Sequence, residues 1–240
     1  MGYPFATARR EVFKKTFLRH VLLYISFELV GDGKDFADGL ARFVSERFNK
    51  TVREDELKEE VGLVSDDKTV SFLFSHGRTA LRLQYPGYKN FEMVLRLLPF
   101  LKDYIEAIGV NTPLQVSIIK FNELEFQTPK GISDVDNAMR AIFSDELLGD
   151  AVFNNGDSRC EKDKIFEDEE SQSHLRITYG FKLDDMKPNK GSLVLKSTIT
   201  KVMPDVNGLT DENLYALNDL LDGAFQWSVK KEVLTNMRQG

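Results

Sequence analysis

The sequence predicts an α+β protein, an antiparallel sheet packed by helices, on three observations. Apolar residues recur at every second position in 21–29, 69–85, 114–126, 175–183 and 193–199, the period of half-buried strands. Apolar stripes at helical spacing run through 36–48, 91–108 and the stretch from Asp211 onward. Read in order, the first half is then β-α-β-β-α-β, the ferredoxin-like arrangement in which antiparallel strands bury one face under two helices, and the second half is α-β-β-α.

Each element has a local reason. Val21, Leu23, Ile25, Phe27 and Leu29 share one strand face, and Gly31-Asp32-Gly33 ends the strand. Phe36, Leu40, Phe43, Val44 and Phe48 form the first helical stripe. Residues 52–68 are acid-rich and weakly patterned, with a short solvated helix expected over Glu54–Glu60. Val70, Phe72 and Phe74, the turn His76-Gly77, and Leu81, Leu83 and Tyr85 make a hairpin. Phe91, Val94, Leu95, Leu98, Leu101, Ile105 and Ile108 give the second helix, which Pro99 should kink. Leu114, Val116 and Ile118 open the next strand, and Gln127-Thr128-Pro129-Lys130-Gly131 is the expected boundary between two halves, residues 1–130 and 131–240. Ser133 is placed to cap a helix carrying Val135, Met139, Ile142 and Phe143, which Gly149 stops. Residues 150–173 hold few apolar positions and read as a long acidic loop. Leu175–Leu183 and Leu193–Ile199 alternate as strands joined by Asp184–Gly191, and one long helix closes the chain with Leu214, Leu217, Leu220, Leu221, Phe225 and Val229 inward. Trp227, about 200° around the helix from Phe225, is expected on the exposed side as an anchor for a partner or a second copy.

Charge is uneven. Residues 1–130 carry 19 Lys/Arg against 18 Asp/Glu, whereas residues 131–240 carry 13 against 20, within a net charge of −6. Such a balance disfavours general nucleic-acid binding, except through the basic arm Arg9, Arg10, Lys14, Lys15 and Arg19. A single Cys excludes an intramolecular disulfide and fits a reducing compartment. No apolar run approaches the ~18 residues that span a bilayer, and Met1–Ala6 lacks an export or myristoylation signal, so a cytoplasmic protein without membrane contact is expected.

The motifs for chemistry are sparse. His20, His76 and His174 are too scattered for metal ligation, and Cys160 lies among Asp157, Glu161 and Asp163, surroundings that disfavour a reactive thiol. Gly31-x-Gly33 lacks the third glycine of a dinucleotide fingerprint, so no cofactor is called for. Glu123 and Glu125, two apart on a strand, project from one face, the geometry of a paired acid/base or divalent-cation site. Arg78, Arg82 and Gln84 share a hairpin face with Ala80, a row able to hold an anion or an acidic partner. Glu167, Asp168, Glu169 and Glu170 form an acidic docking patch.

Tyr85-Pro86-Gly87-Tyr88-Lys89-Asn90-Phe91 leading into a helix, then Ile118-Ile119-Lys120-Phe121-Asn122, resembles a sporadically distributed prokaryotic family of uncharacterised proteins. Phe225 and the Ser228-Val229 step match the end of that family's last helix. Asn218 or Asp219 stands where its members often have His. The resemblance implies no activity; a patchy distribution suits a mobile or defence-related gene. From the residues themselves the leading expectation is a non-catalytic protein-interaction component, with a protein partner or a homo-oligomer. The alternatives are a divalent-metal-dependent hydrolase or nuclease using Glu123 and Glu125, and RNA binding through the basic arm.

Overall fold

In the computed structural model the residues described are 2–8, 13, 16–28, 33–48, 60–75, 77–110, 112–127, 135–153, 157–184 and 187–239. Among them the chain is α+β, with one eight-stranded antiparallel sheet and six α-helices. The strands are β1 (Leu18–Phe27), β2 (Glu60–Val64), β3 (Val70–Ser75), β4 (Arg78–Gln84), β5 (Leu114–Gln127), β6 (Arg159–Asp168), β7 (Ser173–Asp184) and β8 (Lys187–Met203). The helices are α1 (Gly33–Phe48), α2 (Glu92–Ala107), α3 (Val135–Ile142), α4 (Asp145–Leu148), α5 (Asp211–Ser228) and α6 (Lys231–Gln239). The strand order is β2-β3-β4-β1-β5-β8-β7-β6. No helix among the described residues is long and apolar enough to cross a membrane.

The chain divides into two compact units, and the division falls inside β1, β5, β8 and α5. The first comprises His20–Ile119 and Thr200–Ala216. Here alternation does what it predicts: Val21, Leu23, Ile25 and Phe27 of β1 are buried, with Leu23 opposite Leu81 and Phe72 opposite Leu81 in turn. Gly77 closes the β3–β4 hairpin at φ +83°, a left-handed backbone that glycine adopts without steric penalty, and its carbonyl accepts from the Phe27 N–H at 2.9 Å. Phe43 of α1 meets Phe74 of β3 at 5.2 Å and Tyr104 of α2 at 5.5 Å. The Tyr104 hydroxyl donates to the Ser75 carbonyl at 2.9 Å, and burial pushes its pKa far up. Pro99 stands within α2, N-terminal to buried Leu101 and Tyr104.

The second unit comprises Met1–Arg19, Lys120–Ile199 and Leu217–Gly240. Leu175, Ile177, Tyr179, Phe181 and Leu183 of β7 face inward, where Phe143 and Phe153 meet the Tyr179 ring at 6.5 and 6.4 Å. Ser144 caps α4 by accepting from Leu147 N–H.

Several expectations are corrected. Residues 150–173 are not a long loop: β6 occupies 159–168 and pairs antiparallel with β7. Glu60–Val64, expected as the end of a solvated helix and unpatterned chain, is the edge strand β2, in which only Val61 is fully buried. The strands flanking Asp184–Gly191 extend into it from both sides, to Asp184 and from Lys187. The closing helix is two, because the Ser144 N–H bonds to the Ser228 carbonyl and the Lys230 N–H to the Ile142 carbonyl, a bridge to the end of α3 that interrupts the helix at Val229. Leu29, Phe126, His76, the boundary 128–131, Ser133, Glu54–Glu59 and the basic arm Arg9, Arg10, Lys14 and Lys15 lie outside the residues or side chains described.

Candidate functional site

β6 stands at the end of the strand order, hydrogen-bonded to β7 on one side. Its ten residues alternate between half-buried and exposed, and none is fully buried. Inward stand Cys160, Lys162, Lys164, Phe166 and Asp168; outward stand Arg159, Glu161, Asp163, Ile165 and Glu167. The inward lysines keep their stems on the apolar layer while their charges meet ring faces: the Lys162 ammonium lies 5.2 Å from the Phe153 centroid and that of Lys164 lies 5.5 Å from Trp227. Lys164 also donates to the Glu146 carbonyl.

The outward face is acidic around Ile165, whose side chain is 56% exposed. The Arg159 guanidinium donates to Glu161 at 2.8 Å. Asp163 accepts from Arg176 and, at 2.6 Å, from the Thr178 hydroxyl, and the Arg176 bond holds its pKa below the usual carboxylate range. The acidic patch foreseen at 167–170 closes this strand: Glu169 and Glu170 are exposed in the turn to β7, and Asp168 accepts from the Ser171 hydroxyl, which lowers its pKa.

Because Asp163 has a lower pKa folded than unfolded, its contribution to stability is present above the ordinary carboxylate pKa and is lost as pH falls through the folded value. We expect Arg176→Ala to raise the Asp163 pKa toward its ordinary value and to flatten that acid limb. Carboxylate NMR titration of both proteins measures the first effect and acid-unfolding midpoints the second; an unmoved Asp163 titration would remove Arg176 as the cause.

Trp227 is half-buried rather than exposed. Phe166 meets its ring edge-on at 5.7 Å and Phe5 at 5.9 Å. Glu123 and Glu125 do share a face of β5, and the Arg19 guanidinium stands 3.5 Å from each carboxylate. Among the described residues no group of three or more His, Cys, Asp and Glu is placed to hold a metal ion. In the first unit Arg78 is engaged: it bonds to Tyr24, the main reason its pKa is raised, to Ser75 Oγ at 3.2 Å and to Glu60 at 3.1 Å. Arg82 is exposed, with its guanidinium 3.4 Å from His20 Nδ1.

One polar arrangement escaped sequence reasoning. Lys120 of β5 is buried, and its ammonium donates to Asp222 of α5 at 2.5 Å; the other Asp222 oxygen accepts from Asn218 at 3.0 Å. Asn122, two residues along β5, donates to the Leu195 carbonyl at 3.4 Å. Among the described residues Ser197 Oγ and Asn218 Oδ1 are buried with no hydrogen-bond partner. The available signal was two polar residues, Lys120 and Asn122, on the inward register of an otherwise apolar strand. Asn122 also borders a recess walled by Leu193, Leu195, Phe143, Phe225 and Val229.

No family model matches the chain, and no curated protein matches it.

Proposed function

We propose that this chain is a non-catalytic protein-interaction component whose β6 edge accepts an extended segment of a partner. The observation that carries the reading is a ten-residue edge strand with a half-exposed isoleucine set among outward carboxylates. A strand edge offers a row of backbone donors and acceptors, and strand addition converts them into affinity while alternate side chains set specificity.

The charges of β6 argue against a second β6 as the occupant. In an antiparallel pair centred on 162 or 163, Glu161 meets Asp163 or Lys162 meets Lys164. Centring on 164 or 165 sets Glu161 on Glu167 or Asp163 on Glu167. Like charges directly opposite one another destabilise a pair. The complementary occupant is an extended segment with Lys or Arg on the face that meets Glu161 and Glu167 and an apolar residue opposite Ile165. The position of Arg19 between Glu123 and Glu125 supports an ion-pair role for those two carboxylates. For residues 18–127 we also favour a ferredoxin-like unit enlarged by one edge strand; the order β5-β1-β4-β3, with β2 outside it, supports that reading.

A fluorescent peptide alternating Lys and Val is expected to bind saturably, and Ile165→Lys with Glu167→Lys to weaken it by about tenfold or more through lost contact and charge reversal. Both positions are exposed, so the melting temperature should stay within about 2 °C. Fluorescence anisotropy reads the affinity; unsaturable binding, or equal binding by the double variant, would defeat the proposal.

A further inference from the structure

Residues 2–8 lie on the second unit without forming helix or strand. The Tyr3 and Phe5 rings stack at 5.7 Å, and Phe5 reaches Phe166 at 6.4 Å and Trp227 at 5.9 Å. The Tyr3 hydroxyl shares a 2.7 Å hydrogen bond with Ser173 Oγ at the start of β7. Helix α5 is notched to admit the segment: a Cβ on Gly223 would stand 2.5 Å from the Ala6 carbonyl oxygen. Pro4, between the two rings, fixes its own φ, which lowers the entropy lost on docking, and the chain bends at Pro4 and Phe5. Among the described residues, 2–8 make no backbone–backbone hydrogen bond, so rings and one hydroxyl hold the segment.

We propose that the Trp227–Phe166 surface is an interaction site occupied by the chain's own Tyr3-Pro4-Phe5 segment as an internal ligand, and that it fits a partner segment bearing aromatic residues at i and i+2. The inference rests on the reading of the chain as an interaction protein and adds the chemistry of the partner. The internal segment itself shows what the surface takes: two rings in sequence with one residue between them, against an edge-on Phe–Trp pair. A segment without ladder bonds opens at far less cost than global unfolding, so a partner presenting the same pair competes with it. The internal copy then sets the affinity, because binding is weakened by the fraction of molecules in which the site is already filled.

Trp227 is the chain's single tryptophan, so its emission reports this site alone. In the full chain, Phe5→Ala is expected to shift Trp227 emission to the red. A peptide copying residues 2–8 should reverse the shift saturably, and the same peptide with both rings changed to Ala should not. The unaltered chain should bind that peptide about tenfold or more weakly, since its own segment competes. Circular dichroism checks that Phe5→Ala is folded, and Tyr3→Ala, which spares Phe5, is the second variant should it not be. No red shift in either variant, no saturable reversal, or equal affinity for altered and unaltered chains would overturn the proposal. A concentration-dependent dimer in sedimentation that takes up no peptide would overturn it in favour of a second copy's segment. The Ile165→Lys, Glu167→Lys chain should keep the Trp227 response, so failure at the strand edge and failure at the aromatic site are told apart.

Discussion

Replacing Asp222 with alanine is expected to destabilise the protein by about 3 kcal/mol, the lower end of the range for breaking a buried ion pair from one side, since Asp222 keeps some contact with water. The Lys120 side chain is 10% exposed and that of Asp222 23%, and the two meet at 2.5 Å. Without the carboxylate, the buried Lys120 ammonium loses its ion pair to Asp222, and the Asn218 amide loses the acceptor it has there. For a chain of this size the melting temperature should fall by about 6–12 °C. Changing both partners, Lys120→Met with Asp222→Leu, should recover most of that loss, because apolar groups of similar size carry no desolvation cost. Thermal melts of the single and double variants form the cycle. A loss below about 1 kcal/mol in Asp222→Ala would mean that water or other groups satisfy the ammonium without Asp222, and the pair would then contribute no more than an ordinary surface contact.

The same pair shows what a sequence conveys and what it withholds. β1, the β3–β4 hairpin, α2 and β7 were legible because each buries one complete face, so the periodicity of the fold is written in consecutive side chains. β6 was not legible: lysines hold its inward positions 162 and 164, and what makes them acceptable there is supplied from elsewhere, by the rings of Phe153 and Trp227. β2 escaped because five residues with one buried valine give too short a signal. The break between α5 and α6 depends on hydrogen bonds to Ile142 and Ser144, residues about 85 positions away. The candidate site divides in the same manner. Acidic residues at 167–170 marked the neighbourhood of the β6 edge, but the edge itself needs the pairing with β7 to exist. The Trp227 exposure expected from helix geometry failed because a helical wheel carries no information about Phe5, more than 200 positions earlier in the chain.

Phe225→Ala is expected to cost about 3–4 kcal/mol, and Trp227→Ala, two residues away, about 1–2 kcal/mol. Phe225 is 8% exposed, packs 5.8 Å from Phe13 and walls the recess beside Asn122. Its removal enlarges a space that β5, β8 and α5 cannot close without moving, so a cavity penalty adds to the lost transfer energy. Trp227 is larger but half-buried, and two of its neighbours, Phe5 and Lys164, are themselves in reach of water. Removing it chiefly frees the segment at residues 2–8, whose ordering entropy is regained and offsets part of the lost contact. Melts followed by circular dichroism compare the two directly, since Trp227→Ala deletes the only tryptophan signal. The ratio also bears on whether the internal segment can be displaced. If Trp227→Ala were as damaging as Phe225→Ala, the Phe5–Trp227–Phe166 contact would be part of the load shared by the whole unit, and a partner could not exchange for Tyr3-Pro4-Phe5 without unfolding it. A small loss is what a surface covered by a removable segment requires.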